Sequence, residues 1–276
     1  MTLTTAQIDN LIDAVRDTGR REIMPHFRNL DPTAISTKVD AKDLVTDADR
    51  AAELAITRAV SKILPHAVVV GEEAVAARPE VQDLIATSDT TVIVDPIDGT
   101  GNFVAGLAVF GTILAVVEKG ETVFGMLYDP VLDDWIFGSR GDGAYFTSDT
   151  VAARAVRTSE PRELEIARGF LPLDNYAALD RAKAMQAFAP VYQMSAIRCS
   201  CQEYRLLASG QADFLLSASL NPWDHAAGLL ILDEAGGWAK VNGDEDYAPT
   251  LRRGKVIAAS CQAVGERVWH LAKNLV

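Results

Sequence analysis

Thr91-Val92-Ile93-Val94-Asp95-Pro96-Ile97-Asp98-Gly99-Thr100-Gly101-Asn102-Phe103 is the stretch on which the fold turns. Thr91 to Val94, β-branched with no polar alternate, predicts a strand covered on both faces. Asp95 and Asp98 follow directly on that strand, and a glycine and a hydroxyl come next. A turn accounts for one Asp and the Gly. It does not account for two acids, a hydroxyl and free amides where a buried strand ends. In layered folds such a strand end is where ligand sites are built.

The flanking sequence supplies the layers. Thr4-x-x-Gln7 reads as a capping box, and Ile8, Leu11, Ile12, Val15 and Ile23 keep helical spacing until Pro25. A second box, Thr46-x-x-Asp49, opens a helix whose stripe is Ala52, Ile56, Val60 and Ile63. Ala67 to Val70 reads as another buried strand. Downstream, β-rich runs at 112–117, 123–128 and 135–137 are parted by Lys119-Gly120, Asp129-Pro130 and Arg140-Gly141-Asp142-Gly143, which predicts an antiparallel meander. Beyond about residue 162 strands (165–170, 191–197, 213–217, 256–259) alternate with helices (174–188, 200–209, 222–235, 263–275). The sum is α+β layers rather than one doubly wound sheet. At roughly 150 residues per domain, a single domain over 1–276 is expected, with subdomains of about 1–155 and 156–276 divided near 150–162.

Hydrophobic residues make up 49% and charged ones 23%, so a sizeable core is expected and general disorder is excluded. The net charge of −12 argues against a nucleic-acid surface, which needs basic stripes. No apolar run reaches the ~18 residues of a membrane span. The first residues lack the basic and apolar regions of a signal peptide. Three cysteines make no disulfide framework, and Cys199-x-Cys201 has no second pair for zinc. They read as buried thiols, which places the chain in a reducing cytoplasm.

The acids gather at element ends. Glu72 and Glu73 follow a strand, Asp47 and Asp49 open a helix, and Asp224 lies in the first turn of another. Taken singly, the helix acids could serve the helix dipole and Glu72-Glu73 a solvated loop. Together with Asp95 and Asp98 at one rim they would repel each other unless cations neutralised them. All-oxygen ligands suit Mg²⁺, with Mn²⁺ as an alternative. Competing motifs fail on spacing. Gly101 to Gly106 is followed by Leu107-Ala108 where a P-loop needs Lys-Ser/Thr. A dehalogenase-type phosphatase needs two Asp with one residue between them after a strand; Asp95 and Asp98 have two between them, and Asp47-Ala48-Asp49 opens a helix. His225 beside Asp224 reads as structural.

Asp43-Leu44-Val45-Thr46-Asp47-Ala48-Asp49, Gly71-Glu72-Glu73, Asp95 to Phe103 and Pro222-Trp223-Asp224-His225-Ala226-Ala227-Gly228, in that order, resemble the inositol monophosphatase family of lithium-sensitive, metal-dependent phosphatases. The resemblance implies a layered αβαβα sandwich of the kind shared with fructose-1,6-bisphosphatase, two or three Mg²⁺ ions per site, a small phosphorylated metabolite as substrate, and a homodimer. It implies that Glu72, Asp95 and the Ile97 carbonyl hold one ion, and that Asp95, Asp98 and Asp224 hold a second. Glu72 would help with a third. Thr100 and Asp49 would orient and deprotonate the attacking water, with Glu73 nearby. The Gly99 and Thr100 amides would hold phosphate oxygens, with Asp98 and Asp224 also against the substrate. Lys38 would lie near the site as a modulating charge, and Asp47 beside it as a supporting acid.

Substrate choice departs from the family pattern. Inositol-hydrolysing members place a small Gly-Ser/Thr-Ala-Ala stretch against inositol and an acid further on. Here Arg198-Cys199-Ser200-Cys201 and Ser217 stand at those places. Arg198 reads either as surface packing or as a fork for a second phosphate or a carboxylate. Besides an inositol 1-phosphate-like ester, the candidates are histidinol phosphate, fructose 1,6-bisphosphate and 3′(2′),5′-bisphosphate nucleotides. A non-catalytic regulatory role is the other alternative, since some bacterial members resemble regulators that contact RNA polymerase.

Overall fold

The computed structural model describes residues 3–31, 33, 35–37, 44–173 and 178–275. Helix α1 (Thr5–Thr18) opens on the expected capping box, with Thr4 and Gln7 bonded reciprocally. It winds on through a π turn at Gly19–Ile23 and a 3-10 turn at Met24–His26. A short antiparallel pair, β1 (Ile35–Thr37) and β2 (Leu44–Thr46), leads into α2 (Asp47–Ile63). Then come β3 (Val68–Gly71), α3 (Glu72–Ala77), α4 (Leu84–Thr87), β4 (Thr90–Asp98) and α5 (Thr100–Val104). The meander follows as β5 (Gly111–Glu118), β6 (Glu121–Asp129), β7 (Asp134–Ser139), β8 (Gly143–Ser148) and β9 (Arg154–Ala155). Strands β3 to β9 form a seven-stranded sheet in chain order, antiparallel except where β3 lies beside β4.

The second half supplies β10 (Arg168–Phe170), α6 (Ala178–Ala187), β11 (Gln193–Ser195), α7 (Ser200–Ala208) and β12 (Phe214–Ser217). It closes with α8 (Pro222–Glu234), β13 (Trp238–Val241), β14 (Val256–Ala259) and α9 (Gln262–Ala272). Its five strands are ordered β11-β10-β12-β14-β13.

Side-chain alternation stacks these pieces. Val92 and Val94 of β4, with Leu114, Val116, Phe124 and Met126, meet the α1 and α2 stripes at Leu11, Val15, Ile56 and Val60. Ile93, Ile113, Leu127 and Ile136 point the other way, against Tyr204 and Leu207 of α7 and Ala227 and Ile231 of α8. Leu215 and Ala258 bring the second sheet to that same core. Phe214, Leu216, Ile257 and Ala259 on its outer face pack on Ala184 of α6 and Val264 and Val268 of α9. The result is five layers, α, β, α, β, α. Because each sheet is covered on both faces, its central strands read as unbroken apolar runs. The middle helices approach closely: a Cβ on Gly228 of α8 would lie 2.3 Å from the Tyr204 ring.

Some expectations need adjusting. The expected strand at 165–170 is a 3-10 turn at Leu164–Ile166 followed by β10. Part of the expected helix 174–188, residues 174–177, lies outside the described residues. Asp95 and Asp98 sit inside the end of β4 rather than after it. Glu72 and Glu73 open a helix, not a loop. No described helix is long and apolar enough to cross a membrane.

Candidate active site

The end of β4 is bent by a bulge. Asp95 lies opposite Ile113 and Asp98 opposite Gly111, so Pro96 and Ile97 together face Thr112 alone. Residues three apart on a regular strand point to opposite faces. One extra residue cancels that offset, and both acids turn to the same side. The Thr112 hydroxyl donates to the Pro96 carbonyl at 2.9 Å and ties the bulge. Asp224, in the first turn of α8, completes the group: one carboxylate oxygen from each of the three acids lies within 4.8 Å of the others. Asp95 and Asp98 are buried and Asp224 is half-buried.

Crowding shows in their protonation. Burial, then the charges of Glu72, Asp98 and Asp224 and a hydrogen bond with Glu72, hold the Asp95 carboxyl well above the ordinary range. Asp224 is raised the same way, by burial and by the charges of Asp98 and Glu72. Burial pushes Asp98 up to about 6, against the pull of the Cys201 amide, the Cys199 thiol and the Ser200 amide. The Cys201 amide donates to Asp98 Oδ2 at 2.5 Å and the Cys199 thiol at 3.2 Å. The first turn of α7 therefore anchors one oxygen of Asp98.

A second pair stands beside the cluster. Asp49 is fully buried, and its Oδ2 accepts the Thr46 amide at 2.8 Å and the Thr46 hydroxyl at 2.5 Å. The Thr100 hydroxyl lies 3.3 Å from Asp49 Oδ1 and 3.0 Å from the Ile97 carbonyl oxygen. Gly99 makes the turn from β4 into α5 at φ +87°, where an added Cβ would lie 3.1 Å from the Val109 carbonyl oxygen. Glycine is the residue such a left-handed turn favours. The Gly99 and Thr100 residues are half-buried at that turn.

Glu72 reaches the cluster from α3, and the hand that holds α3 is Glu53 of α2. Its carboxylate accepts the amides of Glu73 at 2.8 Å and Ala74 at 2.9 Å. Burial raises Glu53 to about 6, with the Glu73 and Glu72 charges adding to it. Sequence reasoning missed Glu53. The signal was there: it lies four residues after Asp49, on the same face of α2. The thiols of Cys199 and Cys201 were placed correctly as buried, but their contact with Asp98 was not foreseen.

Asp47 corrects an expectation. It is exposed and pairs with Arg50 at 3.2 Å, because residues two apart on a helix point to nearly opposite sides and Asp49 takes the inner one. Lys38 lies outside the described residues. Arg198 lines a cavity of about 240 Å³ that also has Asp98, Ser200, Ser217 and Asp224 in its walls. His225 is buried, its Nε2 on the Ser219 carbonyl and its Nδ1 on the Tyr204 hydroxyl, both at 2.9 Å. A carbonyl only accepts, so Nε2 carries the proton and Tyr204 donates to Nδ1. Burial lowers the imidazole to about 4, so it stays neutral and structural.

The donor set suits a divalent cation. Asp95 Oδ1 is buried without a hydrogen-bond partner among the described residues, and carboxylate and carbonyl oxygens are the ligands hard ions take. Comparison with known proteins agrees. The sequence profile of the inositol monophosphatase family matches residues 6–275. A Thermotoga maritima protein named fructose-1,6-bisphosphatase/inositol-1-monophosphatase is 30% identical over 231 residues, 84% of this chain and 83% of its own length. The Pseudomonas aeruginosa Nus factor SuhB is 31% identical over 258 residues, 90% and 89% of the two chains. Among solved structures, the Thermotoga maritima IMPase matches with a TM-score of 0.81 at 27% identity, covering 99% of this chain and 100% of that one. The extragenic suppressor protein suhB of Bartonella henselae matches at 0.82 and 26%, with the same coverage. The chain belongs to the inositol monophosphatase family and is a phosphoric monoester hydrolase.

Proposed function

We propose that this protein hydrolyses a small phosphomonoester, with water as the nucleophile and Mg²⁺ as the cofactor. The observation that carries this is the meeting of Asp95, Asp98 and Asp224 within 4.8 Å, with one oxygen of Asp95 buried and unpartnered. Glu72, Asp95, the Ile97 carbonyl, Asp98 and Asp224 would hold the cations, and Mn²⁺ would substitute. Bound there, a divalent ion supplies the positive charge that admits an anionic ester to an acidic site and acidifies a water near neutral pH.

The chain's own residues position and move the proton. Thr46 occupies one oxygen of Asp49, which leaves Oδ1 for Thr100. The Thr100 hydroxyl, donating toward Asp49, accepts a hydrogen bond from the attacking water and passes its proton to Asp49 Oδ1. The Gly99 and Thr100 amides, at the turn from β4 into α5, take phosphate oxygens and keep the phosphorus in line with that water. The Asp98 oxygen fixed by α7 keeps the rim from shifting as charge builds.

An inositol 1-phosphate-like ester is the first candidate; histidinol phosphate, fructose 1,6-bisphosphate and 3′(2′),5′-bisphosphate nucleotides follow. The name of the Thermotoga maritima relative supports the first and third. With these we propose a homodimer, inhibition by lithium, and a cytoplasmic location. Phosphate release is measured over these four substrates with and without Mg²⁺, with Asp95→Asn as the blank. Metal-dependent release from wild type alone is expected. Silence of the folded, metal-loaded protein on every ester would contradict the proposal. The relatives named Nus factor SuhB favour a second reading, a regulatory binding role, which stoichiometric recovery of polymerase subunits in a pull-down would support.

A further inference from the structure

We propose that Arg198 selects the substrate by gripping a second oxyanion on it, a phosphate or a carboxylate, apart from the phosphoryl group that is cleaved. This rests on the phosphatase function proposed above and names the class of ester it takes. Three observations converge on Arg198.

The first is its backbone. Arg198 sits at φ +55°, in the left-handed region. A bulky side chain is seldom placed there, and such outliers gather where function holds them. The second is the bracing of the guanidinium. Asn102 is buried, and its amide nitrogen donates to the Val109 and Ile197 carbonyls, both at 2.8 Å. That fixes the amide's orientation and aims Oδ1 at Arg198, whose Nη2 donates to it at 2.8 Å. One neutral acceptor uses one of the five N–H groups of a guanidinium. Among the described residues no carboxylate lies within ion-pair distance of Arg198, and the side chain is exposed. A charged fork is thus held in place with most of its donors unspent.

The third is where the fork stands. Nη1 lies 3.9 Å from the place a Cβ on Gly101 would occupy, over the start of α5. The cavity that Arg198 lines also has Asp98 and Asp224 in its wall, so one small ester can reach both the acid cluster and the fork. Among the described residues Arg198 is the only cationic side chain lining that cavity. There the Ser217 hydroxyl accepts the Ser219 amide at 3.2 Å and lies 3.3 Å from the Ser219 carbonyl oxygen, and neither residue carries a charge. Glu203 and the cluster acids supply the negative charge, so a polyol without a second anion leaves the guanidinium unmatched. A phosphate or carboxylate matches its fork with two parallel hydrogen bonds.

The test compares wild type with Arg198→Gly at saturating Mg²⁺ on two substrate pairs. Fructose 1-phosphate against fructose 1,6-bisphosphate adds a phosphate; glycerol 1-phosphate against 3-phosphoglycerate adds a carboxylate. Glycine suits the left-handed backbone, so the variant is expected to fold, which its melting curve checks. The ratio of kcat/KM for the doubly anionic over the singly anionic partner should fall about tenfold or more in the variant, chiefly through KM, in at least one pair. The pair with the larger fall tells phosphate from carboxylate, and Arg198→Lys should recover part of the ratio. Ratios within about twofold of wild type in both pairs overturn the proposal. So does an equal loss on all four esters, which would put Arg198 on the transferred phosphoryl group. Wild type that releases phosphate from none of them contradicts the phosphatase reading itself, a result distinct from an unchanged ratio.

Discussion

In the proposed mechanism Thr100 and Asp49 form the pair that handles the proton, and neither would be replaceable by shape alone. Valine at 100 keeps the volume but removes the hydroxyl between Asp49 Oδ1 and the Ile97 carbonyl. A positioned proton acceptor contributes about 10²–10⁴ in rate. Thr100→Val should therefore lower kcat by about that factor with a much smaller change in KM, read from steady-state rates. Asp47, two residues before Asp49, provides the contrast. It is exposed and its partner is Arg50, and exposed pairs contribute ~0–1 kcal/mol. Asp47→Ala should leave the turnover near wild type and shift stability by less than about 1 kcal/mol. A large loss of turnover in that variant would return Asp47 to the site.

Among the elements, α3 shows how the proposed ligand Glu72 is aimed from a distance. Six residues long, it carries Glu72 and is capped from outside by Glu53 of α2. Glu53→Ala would leave the Glu73 and Ala74 amides without their acceptor, at a cost of about 1–3 kcal/mol. Groups that orient a metal ligand typically change affinity 10–100-fold. The Mg²⁺ concentration for half-maximal activity should rise by about that factor, more than kcat falls. An unchanged Mg²⁺ midpoint would show that α3 holds Glu72 without Glu53. The same elements show what the chain reveals before folding. The capping boxes at Thr4 and Thr46, the apolar run before Asp95 and the meander turns were all legible, because local chemistry decides them. Helix α3 and strands β1, β9 and β13 were not, because they are too short to show a period. The bulge at Pro96-Ile97 was not legible either, since the pairing opposite Thr112 that creates it is a tertiary fact. Without the bulge, Asp95 and Asp98 could be read as neighbours in sequence but not as acids on one side. Glu53 was hidden for the opposite reason: its helical offset from Asp49 was visible, but α3 above it was not.

At the scale of the molecule, five layers bring β4, α2, α3 and α8 to one rim and leave their acids to be neutralised together. In the metal-free protein burial holds Asp95 and Asp224 well above the ordinary carboxylate range and Asp98 at about 6. The folded state then binds more protons than the unfolded chain at pH values between the ordinary carboxylate range and those raised values. Stability from this cluster is present at low pH and is lost as pH rises through about 6. Cations displace those protons, so the rise in Tm on adding Mg²⁺ should grow from about pH 5 to about pH 8. His225, lowered to about 4 by burial, acts alike with and without the ion and drops out of the difference. A Tm gain that is flat or shrinks with rising pH would contradict a proton-holding acid cluster. The most direct measurement is the initial rate of phosphate release, on the best ester of the panel, across a Mg²⁺ titration of wild type and Asp95→Asn. Wild type should be silent in chelator and rise to saturation with Mg²⁺. Asp95→Asn should melt as a folded protein and stay down by about 100-fold or more at every concentration. Full Mg²⁺-dependent turnover in Asp95→Asn would contradict the acid cluster as the catalytic metal centre.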